Sequence, residues 1–370
     1  MKAISLIPGT TDISLIDVEE PKMNNSKAVK LKVRQVGICG TDREEASGGR
    51  ADAPLGKKRL VVGHEMFGEV VEVGDEVKNV KKGDFGLFTV RRGCGKCDAC
   101  LNGRSDMCYT GDYKERGIKE LDGFQSQFVV DLEENFIKVP EDIKDIGVLT
   151  EPMSVAAKAI DEALKVQKER LQEFDDVSKW LHGKKVLVAG IGAIGLLAAF
   201  ALRLRGAEVY GLDVVDEDSL RPQILKEIGG VYIDGRDVQV TNIDIKIGEM
   251  DFIFEAAGIA KLQFELIDAL GINGIYVATG IPGGNRPVSI NGPDLMRQIV
   301  LKNQIILGSV NAGPQHFDMA VSDLARSKEK WPEVIKKLIT QRLSAEDFRL
   351  ALGHSVDGIK VVVDWENSEI

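Results

Sequence analysis

The chain has 370 residues, more than one domain usually holds, so two domains are the starting expectation. Hydrophobic residues make up 44% and charged residues 29%, enough for sizeable cores and no bias toward disorder. The net charge of −10 argues against a nucleic-acid partner, and no apolar run reaches the roughly 18 residues of a membrane span, so neither is expected.

In chain order, the first 150 or so residues are rich in short β-type runs, such as Val29–Val36, Gly68–Val73 and Phe124–Val130. They predict a β-rich domain of antiparallel or barrel character. The N-terminus carries no apolar region with a cleavage site, so no secretory signal is expected and the location predicted is cytoplasmic. Val155–Gln172 reads as a helix. Beyond it strands and helices alternate: strand Val186–Ala189, helix Ala193–Leu204, then strands Val209–Leu212, Asp251–Glu255 and Gly274–Thr279. That order predicts a parallel sheet with helices on both faces. Phe317–Leu324 and Pro332–Thr340 read as helical, and Ile359–Asp364 as a closing strand.

Gly190, Ile191, Gly192, Ala193, Ile194 and Gly195 form a G-x-G-x-x-G turn between a strand and a helix. The first glycine permits the tight turn, the second lets backbone approach a pyrophosphate, and the third lets helix pack on strand. Asp213 ends the next strand, where a carboxylate accepts from ribose hydroxyls and repels a 2′-phosphate. NAD is therefore favoured. NADP stays possible, since Arg221 is placed to swing toward a phosphate.

Cys94, Cys97, Cys100 and Cys108 lie within 15 residues, the spacing of a closed tetrahedral zinc site. Two disulfides or a redox C-x-x-C are the competing readings. A cytosolic setting disfavours the first and the four-ligand spacing the second. The fifth cysteine, Cys39, precedes Gly40-Thr41-Asp42, and His64-Glu65 follows downstream, with Glu151 later still. A thiolate, an imidazole and a carboxylate can bind zinc and leave one position open for water or a substrate oxygen.

These stretches, in this order, resemble the zinc-dependent medium-chain alcohol dehydrogenase family over essentially the whole chain. Within it the likeness is to the archaeal-type glucose dehydrogenase branch, carried by Arg91–Gly95, Gly111–Ile118, Leu121–Phe124, Ser309–Asn311 with His316-Phe317, and Ile359–Val361. The resemblance implies an α/β chain: a GroES-like catalytic domain over 1–154, a Rossmann domain over 155–308 and a return to the catalytic domain over 309–370. The active site is expected in the cleft between the domains. Cys39 and His64 are implied as catalytic zinc ligands, with Glu65 as a further ligand, Glu151 bound to the ion or standing just behind its ligands, and Thr41 as the start of a proton path. Glu115, Glu151, Thr41 and Asn311 are implied to hold the substrate, while Thr279, Gly280, Ile281, Ser309, Val310, Asn311 and Lys360 line the cofactor. Two zinc ions per chain and a dimer or tetramer are also implied.

The expected reaction is oxidation of an aldose, glucose first, at C1 to the lactone with hydride transfer to NAD(P). A polyol, a threonine-like compound or a simple alcohol is the alternative substrate, and a silent or zinc-free binding relative the alternative of another class. Val90 departs from the branch, which can carry a polar residue just before the Arg-Arg pair. His182 and His354 are read as surface residues, and His316 as packing near the domain junction rather than binding metal.

Overall fold

Alternating apolar residues open the chain as strands β1 (Lys2–Leu6) and β2 (Ile13–Asp17), followed by the long β3 (Ala28–Ile38). Helix α1 (Gly40–Ala46) leads to β4 (Leu60–Val61), β5 (Glu65–Val73), β6 (Phe85–Phe88) and β7 (Arg91–Arg92). After the short α2 (Asp98–Leu101) come β8 (Lys114–Arg116), β9 (Glu120–Leu121), β10 (Phe128–Leu132) and β11 (Phe136–Lys138). Helix α3 (Thr150–Leu171) precedes β12 (Lys185–Ala189), α4 (Ala193–Leu204), β13 (Glu208–Asp213), α5 (Leu220–Glu227) and β14 (Val231–Asp234). Next are α6 (Ile243–Ile247), β15 (Met250–Glu255), α7 (Ala260–Glu265), β16 (Leu270–Ala278), α8 (Gly292–Leu301) and β17 (Ile305–Gly308). The chain closes with α9 (Pro314–Lys330), α10 (Pro332–Lys336), β18 (Ile339–Ser344), α11 (Phe348–Leu352) and β19 (Lys360–Asp364). This computed structural model describes residues 1–171, 177–284, 286–353 and 358–368, so Gln172 and His354 lie outside the described residues.

The chain divides into two compact units. The first comprises Met1–Ser154, Asn311–Ala325 and Ile335–Ile370. Its main sheet runs β11-β6-β5-β3-β19-β18, with β10 also paired to β3. Buried Leu31, Val33 and Val36 on β3 meet Met66 and Val70 on β5, and Val362 and Val363 on β19. The last strand thereby returns to the first unit and aligns Val361 with Ile38.

The second unit comprises Val155–Val310 and Arg326–Val334. Its sheet runs β14-β13-β12-β15-β16-β17 with every pair parallel. The order reverses between β12 and β15, and at such a switch point doubly wound sheets open a crevice for ligands. Helix α4 buries Gly195 through Leu202, and its run of small residues lets it lie close to the sheet. On the sheet, Leu187, Leu212, Met250, Ile253, Leu270 and Tyr276 share one core. Phe200 of α4 meets Trp331 edge-on at 5.6 Å, which ties the short Arg326–Val334 segment to this unit.

Three elements differ from expectation, and in the first, the β-type run Phe124–Val130, only Phe128–Val130 lies in a strand, β10. The helix predicted over Pro332–Thr340 ends at Lys336, and Ile339 and Thr340 already belong to β18. Parallel pairing with β19, a partner 20 residues on, overrides the local pattern there. The helix predicted from Val155 starts earlier, at Thr150. Among the described residues no helix is long and apolar enough to cross a membrane.

Candidate active site and dinucleotide loop

Cys39 caps the N-terminus of α1. Its Sγ accepts from the backbone N–H of Thr41 at 3.2 Å, while the Asp42 carboxylate accepts from the Cys39 N–H at 2.8 Å. This reciprocal cap fixes the thiol against the helix end. His64 stands just before β5 and points Nε2 at the Cys39 Sγ, 3.0 Å away. Its other nitrogen, Nδ1, faces Asp42 Oδ1 at 3.7 Å. A carboxylate behind a ligating imidazole sets its orientation and basicity. Cys39, His64 and Glu65 place one donor atom each within 4.8 Å of one another. Glu151, at the head of α3, is outside that set but almost fully buried.

Glu65 is fixed from the opposite side. It pairs in register with Gly37 on β3, where any Cβ would come within 2.1 Å of Glu65 Oε2. Lys360 donates to both Glu65 oxygens, at 2.7 and 2.5 Å. Burial works against a charged lysine here, but the carboxylate of Glu65 raises it above its ordinary value. Burial also pushes the Cys39 thiol up, and pushes Glu151 up to about 7 against the pull of His64. His64 would be lowered by burial, yet Cys39 and Asp42 hold it well above the usual imidazole range. Glu45, fully buried one turn after Asp42, is driven to about 9 by burial and then by the Asp42 charge. One soft donor, one imidazole and one carboxylate, with an acceptor behind the imidazole, suit a divalent zinc ion with an open position.

The four-cysteine lobe is separate and closed. All four Sγ atoms lie within 4.8 Å of one another, and the Cys94 and Cys100 sulfurs are 3.9 Å apart. Tetrahedral Zn–S bonds of about 2.3 Å put thiolates about 3.8 Å apart, a spacing that the Cys94 and Cys100 sulfurs match. Gly93 makes the lobe possible, since a Cβ there would sit 2.4 Å from the Cys100 Sγ. None of the five cysteines is bridged, and the 3.9 Å between the Cys94 and Cys100 sulfurs is well beyond a disulfide bond.

The remaining expected substrate residues form a third group in the same unit. Arg91 on β7 pairs directly across from Glu115 on β8. The guanidinium Nε and Nη2 donate to Glu115 Oε1 at 3.0 and 2.9 Å. The Asn311 amide, in the orientation that satisfies both neighbours, donates to the same oxygen at 3.2 Å and accepts from Arg91 Nη2 at 2.5 Å. Arg91 and Asp42 are the organising residues that motif reading passed over. A carboxylate three residues after the helix-capping Cys39 was the signal for Asp42, whereas Arg91 is marked only by the register of β7 against β8. Thr41 is half-buried on α1, and Val90 is buried and apolar. His182 is exposed, whereas His316 is fully buried in the first unit and its Nδ1 accepts from the Gly313 N–H at 3.0 Å.

The glycine turn lies in the second unit. Gly190 has φ +83°, open to glycine and strained for other residues. A Cβ on Gly195 would lie 1.9 Å from the Gly190 carbonyl oxygen, whereas Gly192 has open space above it. No side chain caps α4 at Gly192, so the amides following it, through Ala193 and Ile194, face a site suited to phosphate. Asp213 accepts from the Ile191 N–H at 3.0 Å through Oδ2 and from the Val214 N–H at 2.7 Å through Oδ1. Arg221 Nη1 is 3.8 Å from that carboxylate, so in this structure it neighbours Asp213. Thr279 and Gly280 follow β16 and are tied to buried Glu255: Thr279 donates to its carbonyl at 2.7 Å, and Gln263 bridges its carboxylate to the Gly280 carbonyl. Ile281 is exposed, Ser309 is buried after β17, and Val310 is exposed with its carbonyl accepting from Lys158 at 2.9 Å. Asn311 and Lys360 belong to the first unit.

Comparison with known proteins places these features. Residues 25–141 match the alcohol dehydrogenase GroES-like domain, and residues 144–365 match the glucose dehydrogenase C-terminus. The chain is 39% identical over 367 residues to glucose 1-dehydrogenase 2 of Vulcanisaeta moutnovskia, covering 98% of this chain and 99% of that one. It is 33% identical over 366 residues to glucose 1-dehydrogenase of Methanocella arvoryzae, with the same coverage. The solved structure of Haloferax mediterranei glucose dehydrogenase in complex with NADP, Zn and gluconolactone superposes with a TM-score of 0.88 at 28% identity, over 99% of this chain and 100% of that one. The GroES-like unit and the parallel six-stranded sheet are the two halves that these relatives share, and the chain belongs to the medium-chain alcohol dehydrogenase family, in its glucose dehydrogenase branch.

Proposed function

We propose that the protein oxidises an aldose, D-glucose in the first place, at C1 to the lactone, using NAD or NADP and two zinc ions per chain. The convergence of Cys39, His64 and Glu65 within 4.8 Å carries the reading. It is supported by the glucose 1-dehydrogenase relatives and by the neighbour solved with NADP, Zn and gluconolactone.

Cys39, His64 and either Glu65 or Glu151 would hold the catalytic ion, and Cys94, Cys97, Cys100 and Cys108 the structural one. Bound, the catalytic ion would polarise the substrate hydroxyl as a Lewis acid, and the nicotinamide would accept the hydride. The residues supply the rest. Asp42 orients His64, Lys360 neutralises Glu65 and restricts its rotation, and Thr41 Oγ1 relays the departing proton, accepting it while passing its own on to the cofactor ribose, with Glu65 or Glu151 as the alternative acceptor. Glu115 and Asn311 pair with sugar hydroxyls that would otherwise be desolvated at about 1–3 kcal/mol each. The Gly190–Gly195 turn cradles the pyrophosphate, Asp213 favours NAD, and Thr279–Ile281 with Ser309–Asn311 and Lys360 line the cofactor.

A homo-oligomer belongs to the same reading. Strand β17 is the edge of its sheet, and Ile306 on it and Met296, Val300 and Leu301 on the neighbouring α8 are exposed. Exposed apolar residues on an edge strand invite pairing with a second copy. Five cysteines without a disulfide, all of them assigned here to zinc, fit a reducing, cytoplasmic compartment.

The decisive measurement is a panel of aldoses, polyols, threonine and simple alcohols with NAD and with NADP. Glucose is expected to lead. Turnover of simple alcohols alone would overturn the sugar assignment.

A further inference from the structure

Arg91 and Glu115 meet in an unusual way. A guanidinium commonly grips a carboxylate with two parallel bonds, one to each oxygen. Here Nε and Nη2 both converge on Oε1, and the Asn311 amide adds a third donor to that same atom. Among the described residues no hydrogen bond reaches Oε2. The guanidinium itself is held on its other sides, since Nη1 donates to the Asp106 carbonyl at 3.1 Å and the plane lies 3.9 Å over the Tyr113 ring.

The terminal torsion of a glutamate is soft, so a free carboxylate samples many directions. Three donors on one oxygen remove that freedom and aim the other. Asn311 adopts φ +61°, a left-handed backbone that asparagine tolerates better than most residues but that is still kept only where surroundings enforce it. One amide hydrogen of Asn311 is used on Glu115, and the second remains for another acceptor. The positive and negative charges of Arg91 and Glu115 offset each other at 11% side-chain exposure apiece, so the pair offers no net charge to a phosphate or a carboxylate.

We propose that Arg91 is a positioning, specificity-determining residue that clamps Glu115 and Asn311 into one unit reading two adjacent hydroxyls of a neutral sugar ring. Glu115 Oε2 accepts from one hydroxyl, and the remaining Asn311 amide hydrogen donates to the oxygen of its neighbour. This rests on the aldose reading above and deepens it. Lysine could supply the charge at position 91 but not the planar fork that holds carboxylate and amide together.

The test uses zinc-loaded wild type, Arg91→Lys and Glu115→Gln, with kinetic constants for glucose and each monodeoxyglucose, and melting temperature and zinc content measured alongside. Wild type is expected to prefer glucose over at least one monodeoxy analogue by about a hundredfold or more. Arg91→Lys should raise KM for glucose about tenfold, leave kcat within about threefold, and flatten that preference. Glu115→Gln should flatten it too, and the double variant should be little worse than either single one. An Arg91→Lys enzyme with unchanged KM and preference overturns the proposal. So does an equal loss on every sugar accompanied by lower melting temperature and zinc content, which is a purely structural role. If Arg91→Lys does not fold, Glu115→Gln decides, and retention of the wild-type preference overturns the proposal. A wild type that oxidises no aldose sinks the proposed function and this inference together, whereas an active wild type indistinguishable from Arg91→Lys sinks this inference alone.

Discussion

Lys360 and Glu65, 295 positions apart in sequence, form a buried ion pair in which Nζ reaches both carboxylate oxygens and also donates to the Ile38 carbonyl at 3.4 Å. Both side chains are at most 3% exposed. Removing one member of such a pair strands the other charge, at a cost of about 3–5 kcal/mol. Lys360→Met is therefore expected to lower the urea midpoint sharply, and adding Glu65→Gln should recover much of the loss. A single variant as stable as wild type would show that the pair carries no such strain.

A second charge cluster makes a pH prediction. Asp131 Oδ2 accepts from Arg92 Nη2 at 2.6 Å and from Arg116, while Oδ1 accepts from Asn135 Nδ2 at 2.8 Å. Burial alone would raise this carboxyl, but Arg116 and Arg92 hold it at about 2. The folded value lies below the unfolded one of about 3.9, so the carboxylate stabilises the fold fully above that pH. This contribution, about 2–3 kcal/mol, is lost as pH falls from about 4 to 2. Asp131→Asn should be less stable than wild type by that order at pH 6, and the gap should close by pH 2. Equal urea midpoints at pH 6 would remove Asp131 from the stability account.

Metal content separates the two cysteine sites. Zinc analysis of wild type is expected to give near two ions per chain. Cys39→Ser should retain one and lose at least about two orders of magnitude in turnover. Cys108→Ser should also retain one, but with a lowered melting temperature, because a closed structural site contributes to folding. Full zinc content and full activity in Cys39→Ser would displace the catalytic assignment.

Asp213 sets the cofactor prediction. Replacing it with serine would remove the proposed ribose acceptor together with the brace on the Ile191 N–H. KM for NAD should rise about tenfold or more, with a smaller gain for NADP because the loop loosens for both. An unchanged NAD to NADP ratio would show that Asp213 does not read the ribose.

What could be read from the sequence follows from how local each signal is. The turn from Gly190 to Gly195, helix Ala193–Leu204 and the four clustered cysteines were visible because strand, turn, helix and thiols are adjacent in the chain. The parallel sheet was equally plain from strands alternating with helices. Cys39, His64 and Glu65 were named by motif, and the structure brings their donor atoms together. Partnerships across long separations were not visible. Lys360 was expected at the cofactor, and nothing near it in sequence points to Glu65. Arg91 lies 24 positions from Glu115, and only the register of β7 against β8 makes them neighbours. Strand β18 was missed for the same reason, since its pairing with β19 outweighs a locally helical pattern.

The Arg91 bond to the Asp106 carbonyl has a consequence for Glu115. Asp106 is a buried residue between Cys100 and Cys108, with its carboxylate gripped by Arg104. The lobe that the four thiols enclose thus carries one anchor of the clamp on Glu115. A change that disturbs the loop between Cys100 and Cys108 would therefore reach Glu115 through Arg91, although no thiol touches that carboxylate.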